Sequence, residues 1–251
     1  MENSKKRVWE LDFIRGLAVL GMVFIHMNYA LNAYFDINIL AGVPDFEKIV
    51  LLVKEYGGIL FIFISGICCC FSRNNLKRGL QLFFFAMLVT YATTMYEQYM
   101  DPNNRYTILF GVLHCLSLCM MTGHFLLKLP QKNYITNIAY AILGILLVAA
   151  GILLANNNIS IPAICGYLVY PWFVSSDYFP LLPYLGWFVL GIAAGNSFYK
   201  KGKALLPFEN AGKFPLIAPF CFIGRHSLII YLLHQPVIFG IMFLLQSFNA
   251  A

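Results

Sequence analysis

The sequence predicts an all-α fold: a polytopic integral membrane helix bundle with about seven transmembrane helices. The first observation is composition, with 60% hydrophobic and 11% charged residues, against roughly 45–50% apolar and about 25% charged in soluble domains. The second is that the apolar residues form stretches of about 20, the length that crosses a bilayer as a helix. This composition excludes a soluble or disordered chain, and seven cysteines in 251 residues are too few for a disulfide scaffold.

The apolar stretches divide the chain into spans. A hydropathy reading gives seven, and we predict that they build a single transmembrane domain over residues 1–251. The predicted spans cover residues 11–31, 56–72, 79–97, 106–127, 135–155, 183–199 and 226–246.

Basic residues set the predicted orientation. Thirteen of the 17 Lys and Arg residues lie in alternate connections, namely the N-terminal flank and residues 73–78, 128–134 and 200–225. Cytoplasmic loops carry the excess of Lys and Arg, so we expect a cytoplasmic N-terminus and an external C-terminus. The expected location is the inner (cytoplasmic) cell membrane, with membrane lipid as a partner and no nucleic acid.

Two connections are more than linkers. Residues 156–182 are rich in aromatic residues and proline, a composition typical of the membrane interface, and we expect them to cover an outer cavity. Residues 214–223 are apolar but too short to span, which predicts a re-entrant or interfacial segment.

Ionisable residues inside the spans mark the candidate site, because each costs about 2.5–3.5 kcal/mol to insert. Arg15 and His26 are eleven residues apart, almost three helical turns, so they share a helix face roughly 16 Å apart along the axis. Arg15 lies near the cytoplasmic end and His26 near the outer end. The alternative for Arg15 is an arginine that reaches the interface and pairs with Asp12.

His114 in the fourth span lies at a predicted depth similar to that of His26, so the two histidines can share a site. Imidazole transfers protons near neutral pH and can act as a base. The alternative is that each forms only an interhelical hydrogen bond. His234 and His124 rank lower, as side chains that bridge helices.

Residues 224–227, Gly-Arg-His-Ser, offer an anion site formed by Arg225, His226 and the amides at a helix start. Helix capping is the favoured alternative. The cysteines lack the spacing of a zinc site, so we expect no metal, and no nucleotide-binding or serine-hydrolase motif is present.

Several segments together resemble a known family. LDFIRGLA and MVFIH in the first span, with ten residues between Arg15 and His26, are similar to the opening of integral-membrane acyltransferases, and FIFISG at 61–66 to their second helix. With ILFGVLH at 108–114, DYFPLLP at 177–183 and SLIIYLLHQP at 227–236, the chain resembles the bacterial branch of the heparan-alpha-glucosaminide N-acetyltransferase catalytic-domain family.

The resemblance implies transfer of an acetyl group from cytoplasmic acetyl-CoA to an amino or hydroxyl group of a sugar or glycan at the outer face. His26 would be the general base, His114 would orient the reactants or stabilise the oxyanion, and Asp177 would hold an imidazole or the acceptor. Arg15 would hold the thioester arm or its carbonyl. Arg225 and His226 would join it in binding acetyl-CoA.

Two other functions are compatible with the same residues. A small-solute or proton-coupled transporter would use the intramembrane Arg and His residues as a relay. A structural membrane protein without catalytic activity is the third possibility. Protein-dependent binding of acetyl-CoA would favour the enzyme, whereas solute counterflow without acyl turnover would favour the transporter.

Overall fold

The chain folds into helices. The computed structural model describes residues 8–37, 39, 46–99, 107–129, 134–157, 177–199, 204–206, 208 and 211–249, and these residues contain no strand. The helices are α1 (Trp9–Phe35), α2 (Phe46–Cys69), α3 (Asn75–Tyr99), α4 (Val112–Leu126), α5 (Tyr134–Asn156), α6 (Leu181–Phe198), α7 (Ala218–Arg225) and α8 (Ser227–Asn249), with a 3₁₀ turn at Ala211–Lys213.

Length and composition identify the membrane helices. Among the described residues, five helices are long and apolar enough to cross a membrane, within α1, α3, α5, α6 and α8. Two shorter apolar helices, Tyr56–Cys69 and Val112–Leu126, occupy the remaining predicted spans. The chain is therefore a multi-pass membrane protein with an all-α fold, as predicted. The count of seven and the orientation of the N-terminus stay predictions.

Contacts between Cα atoms divide the chain into two compact units. Unit 1 contains Met1–Phe61 and Gly202–Ala251, and unit 2 contains Ile62–Lys201. Unit 1 thus holds α1, α7, α8 and the first part of α2, while unit 2 holds the rest of α2 and α3 to α6. The single transmembrane domain over residues 1–251 stays a prediction.

In unit 1, α1 is continuous and ends sharply. Asp36 adopts a left-handed conformation with φ of 56°, which Asp tolerates better than most residues. Its backbone N–H donates to the carbonyl oxygen of Asn32 at 3.0 Å. The helix therefore closes its last turn without a glycine.

The segment at 214–223, predicted as re-entrant or interfacial, is a turn followed by the short helix α7. This helix packs against the beginning of α1, where the thiol of Cys221 donates to the carbonyl oxygen of Trp9 at 3.5 Å. Burial raises the pKa of Cys221, so the thiol stays neutral. The first turn of α1 is also held by Glu10, a buried carboxylate that accepts the backbone N–H groups of Leu205 and Leu206.

In unit 2, α4 is short because protein surrounds it. Every residue from Val112 to Ser117 is buried, so this helix does not have to match the bilayer thickness. It begins six residues after the predicted span start at 106. By contrast, the buried residues of α5 include Tyr140, Gly144 and Gly151, while many of its Ile and Leu side chains are exposed, as in a helix that faces lipid.

Glycine pairs allow the closest helix contacts in each unit. In unit 1, a Cβ at Gly16 would overlap the carbonyl oxygen of Phe220 in α7, and one at Gly224 would overlap that of Asp12 in α1. In unit 2, Gly66 of α2 and Gly191 of α6 meet in the same way. Small residues at such crossings let helices gain packing energy that lipid cannot provide.

We expect Gly224→Ala to destabilise the protein by about 1–3 kcal/mol, because the added methyl group must push α7 away from the backbone of α1. Gly240→Ala in α8 is the control, since a Cβ there meets nothing within 4 Å. Thermal unfolding in detergent measures both variants. Equal unfolding temperatures for the two would show that the contact between α1 and α7 does not need a glycine.

Candidate active site

Unit 1 brings two histidines together. His26 of α1 and His234 of α8 have ring centroids 5.1 Å apart, with the ring planes at 51°. The two helices meet beside this pair through a small apolar cluster that includes Ala30, Ile238 and Met242. We call His26, His234 and Gln235 the α1–α8 histidine cluster.

Hydrogen bonds orient both rings of the cluster. The side-chain amide nitrogen of Gln235 lies 2.9 Å from Nδ1 of His26, so it donates to that nitrogen across the two helices. Nδ1 of His234 lies 2.5 Å from the carbonyl oxygen of Tyr231. A carbonyl oxygen only accepts, so Nδ1 of His234 carries the proton.

The other nitrogen of His234 is buried and has no partner in the part of the chain that the structure describes. His234 is 8% exposed, and its Nε2 has no hydrogen bond among the described residues. Pro236 follows inside the same helix and has no N–H to give to the preceding turn. A missing backbone hydrogen bond within a membrane helix is tolerated where neighbouring protein groups or a cavity compensate for it.

Arg15 lies on α1 in the same unit, eleven residues before His26, as the sequence required. Its Nε is buried and has no hydrogen-bond partner among the described residues.

Arg225 and His226 lie at the junction of α7 and α8, both exposed. Nε of Arg225 donates to the carbonyl oxygen of Cys221 at 3.0 Å. Nδ1 of His226 lies 2.9 Å from the carbonyl oxygen of Phe222. These two contacts match the helix-capping alternative.

In unit 2, His114 is at the first turn of α4 and both of its ring nitrogens are used. The backbone N–H of Gly111 donates to Nδ1 at 3.2 Å, so the proton is on Nε2, which lies 3.2 Å from Oγ1 of Thr90. The hydroxyl group of Thr90 in turn donates a hydrogen bond to the carbonyl oxygen of Ile108 at 2.6 Å. The ring of His114 also stacks on Phe110, so this histidine holds the turn that starts α4.

Asp177 stabilises the same turn from the other side. Its Oδ2 accepts the backbone N–H of Val112 at 3.2 Å, where the N-terminus of α4 favours a negative charge. A Cβ at Gly111 would lie 2.5 Å from that oxygen, so a glycine is needed for the approach. The structure thus brings Asp177 and His114 to one turn.

The predicted pairing of His26 with His114 stays a prediction, because the two residues belong to different units. The structure also brings His234 and Gln235 beside His26. Both lie in the motif SLIIYLLHQP, but neither is among the predicted site residues. Most of the connection predicted to cover an outer cavity, residues 158–176, lies outside the described residues. Within the described ranges, no group of three or more His, Cys, Asp and Glu residues could hold a metal ion.

The fold and these clusters define a class: a multi-pass membrane protein whose apolar helices carry buried histidines and an arginine with a buried Nε. Residues 7–236 match the model of the family heparan-alpha-glucosaminide N-acetyltransferase, catalytic. This match covers most of the chain, so the protein belongs to that family, which indicates a membrane acetyltransferase. The comparison with curated proteins and the comparison with solved structures each gave no match.

We expect Thr90→Val to destabilise the protein by about 1–3 kcal/mol, because the buried N–H of His114 then loses its acceptor. Thr94→Val is the matched control on the same helix, since the hydroxyl of Thr94 donates to a carbonyl oxygen of its own helix, that of Thr90. Thermal unfolding compares the two. A loss no larger for Thr90→Val than for Thr94→Val would contradict this reading of the turn.

Proposed function

We propose that this protein transfers an acetyl group from cytoplasmic acetyl-CoA to an amino or hydroxyl group of a sugar or glycan on the outer side of the membrane. The observation that carries the proposal is the family match over residues 7–236. The same match favours an acetyltransferase over the transporter.

Arg15 is the residue we assign to the thioester end of the donor. A buried guanidinium N–H without an acceptor is costly, and a thioester carbonyl or a phosphate oxygen supplies one. Nε of Arg15 lacks a partner within the described part of the chain, which supports this assignment over a purely structural role.

Arg225 and His226 are assigned to the phosphates of coenzyme A. One N–H of Arg225 caps α7, but a guanidinium has five donors, so its remaining donors can hold a phosphate. Their exposure supports contact with a soluble donor, on the side that the distribution of Lys and Arg predicts to be cytoplasmic.

The acceptor is placed beside His26, in the α1–α8 histidine cluster. His114 and Asp177 are assigned a positioning role, because both bind the turn at 111–112 and the other ring nitrogen of His114 bonds to Thr90. A hydrogen-bonded histidine in a buried turn orients its surroundings without giving up a nitrogen to substrate. This favours the orienting role over direct stabilisation of the oxyanion by His114.

The direct test is acetyl transfer in proteoliposomes. Labelled acetyl-CoA is supplied on the side of the N-terminus and glucosamine on the other, and acetylated product is counted. We expect His26→Ala to lower turnover by at least about 100-fold, the usual contribution of an acid, a base or an oxyanion donor, whereas His124→Ala serves as the control for loss of an intramembrane histidine.

Undiminished turnover of His26→Ala would remove His26 from the reaction. Protein-dependent counterflow of labelled glucosamine without acetyl transfer would instead support the transporter and overturn the proposal.

Arg15→Gln gives an independent prediction. We expect it to raise the KM for acetyl-CoA about tenfold or more, because a charge-assisted hydrogen bond contributes about 1.5–3 kcal/mol. Lys213→Gln, an exposed residue, is the control for loss of one positive charge. The KM is measured with folding checked by gel filtration, and an unchanged KM would return Arg15 to a structural role.

A further inference from the structure

Nε2 of His234, which has no partner among the residues that the structure describes, supports an inference that rests on the proposed function. This side chain is more than nine-tenths buried, and it faces His26 with ring centroids 5.1 Å apart. Its Nδ1 is bound to the carbonyl oxygen of Tyr231. Nε2 of a neutral His234 therefore carries the lone pair, and it finds no donor among the described residues.

A purely structural role explains this arrangement poorly. If His234 served to join α1 and α8, a hydrogen bond from its ring to α1 would be expected. That interhelical bond is made by the neighbouring residue, Gln235, to His26, while the hydrogen bond of His234 is to its own helix. A leucine would fill the same space without the free-energy cost of burying a polar atom. The buried Nε2 of His234 therefore needs another explanation.

The hydrogen bond from Gln235 decides which of the two rings is basic. Nδ1 of His26 accepts the amide N–H of Gln235, so a neutral His26 carries its proton on Nε2 and is a donor there. His234 has the opposite tautomer. The cluster thus presents one proton donor and one proton acceptor.

We propose that His234 is the general base of the acetyl transfer, the role that the family resemblance predicts for His26. The acceptor nitrogen or oxygen uses its lone pair to form a bond to the thioester carbonyl carbon, and its proton moves to Nε2 of His234. The carbonyl π electrons move to the oxygen, which receives the Nε2–H of His26 as a hydrogen-bond donor.

The second half of the reaction restores the base. The oxyanion reforms the carbonyl, the C–S bond breaks, and the thiolate of coenzyme A leaves with the proton from Nε2 of His234. The products are the acetylated acceptor and free coenzyme A, and both histidines return to their starting tautomers. No redox step or metal is involved in this balance.

The tautomer can be tested without any activity. Protein labelled with ¹⁵N-histidine is reconstituted in nanodiscs, and the His234 signals are assigned by their loss in His234→Asn. We expect a proton coupled to Nδ1 and the shift of an unprotonated nitrogen for Nε2. A proton on Nε2 of neutral His234 would overturn the proposal.

Kinetics test the catalytic role. His234→Asn is the chosen variant, because its amide can replace Nδ1–H as the donor to Tyr231 while removing the basic nitrogen. With acetyl-CoA and either glucosamine or methyl glucoside as acceptor, we expect kcat to fall at least about 100-fold, with the KM for acetyl-CoA unchanged. His124→Asn is the matched control.

Hydroxylamine separates base catalysis from structural damage. Hydroxylamine is a stronger nucleophile than a sugar amine or hydroxyl group and reacts with thioesters with little help from a general base. The rate of His234→Asn with this acceptor should therefore approach that of the wild type. Equal losses with hydroxylamine and with the sugars would show a structural role and overturn the proposal, as would undiminished kcat with the sugars.

These outcomes differ from a failure of the proposed function. If the wild-type protein acetylates none of the three acceptors, the proposed function fails, and with it the base role of His234, although the tautomer measurement still reports on the cluster itself. If the wild type is active and His234→Asn equals it, only the assignment of His234 fails.

Discussion

The lack of hydrogen-bonding solvent inside the bilayer is the constraint on which the rest of this structure depends. A polar group within an apolar helix has to find its partner in the protein, since hydrocarbon provides none. Both ring nitrogens of His114 find such partners, because they form hydrogen bonds with Gly111 and Thr90. His234 shows the other case, because one nitrogen bonds to its own helix and the other has no donor among the described residues.

The lipid environment also makes the association of helices depend on packing. Since lipid is as apolar as leucine, helices gain little by burying large side chains against each other. Gly16 with Gly224 in unit 1 and Gly66 with Gly191 in unit 2 allow backbones to touch, and large apolar side chains such as Phe84 and Leu146 remain on the outside. Close packing of α7 on α1 in turn fixes the region around Arg15 within unit 1.

Much of the fold was predictable, and less of the site. The predicted spans coincide with α1, α3, α5, α6 and α8 because apolar length is a local property. The predicted span at 106–127 was longer than α4 because burial by protein removes the need to match the bilayer. The contacts of His234 with Tyr231, three residues earlier, and with His26 of another helix were not predicted, because spacing along one helix cannot reveal a partner in another.

The sequence by itself determined that this protein lies in a membrane, approximately where its helices are, and its family. These follow from composition, from the length of the apolar stretches and from short motifs in a fixed order. Only the tertiary structure decided which polar groups meet. It paired His26 with Gln235 and His234, and it bound His114 and Asp177 to the turn before α4. The physical reason is that hydrogen bonds need distances near 3 Å and a definite direction, which depend on how helices distant in sequence pack together.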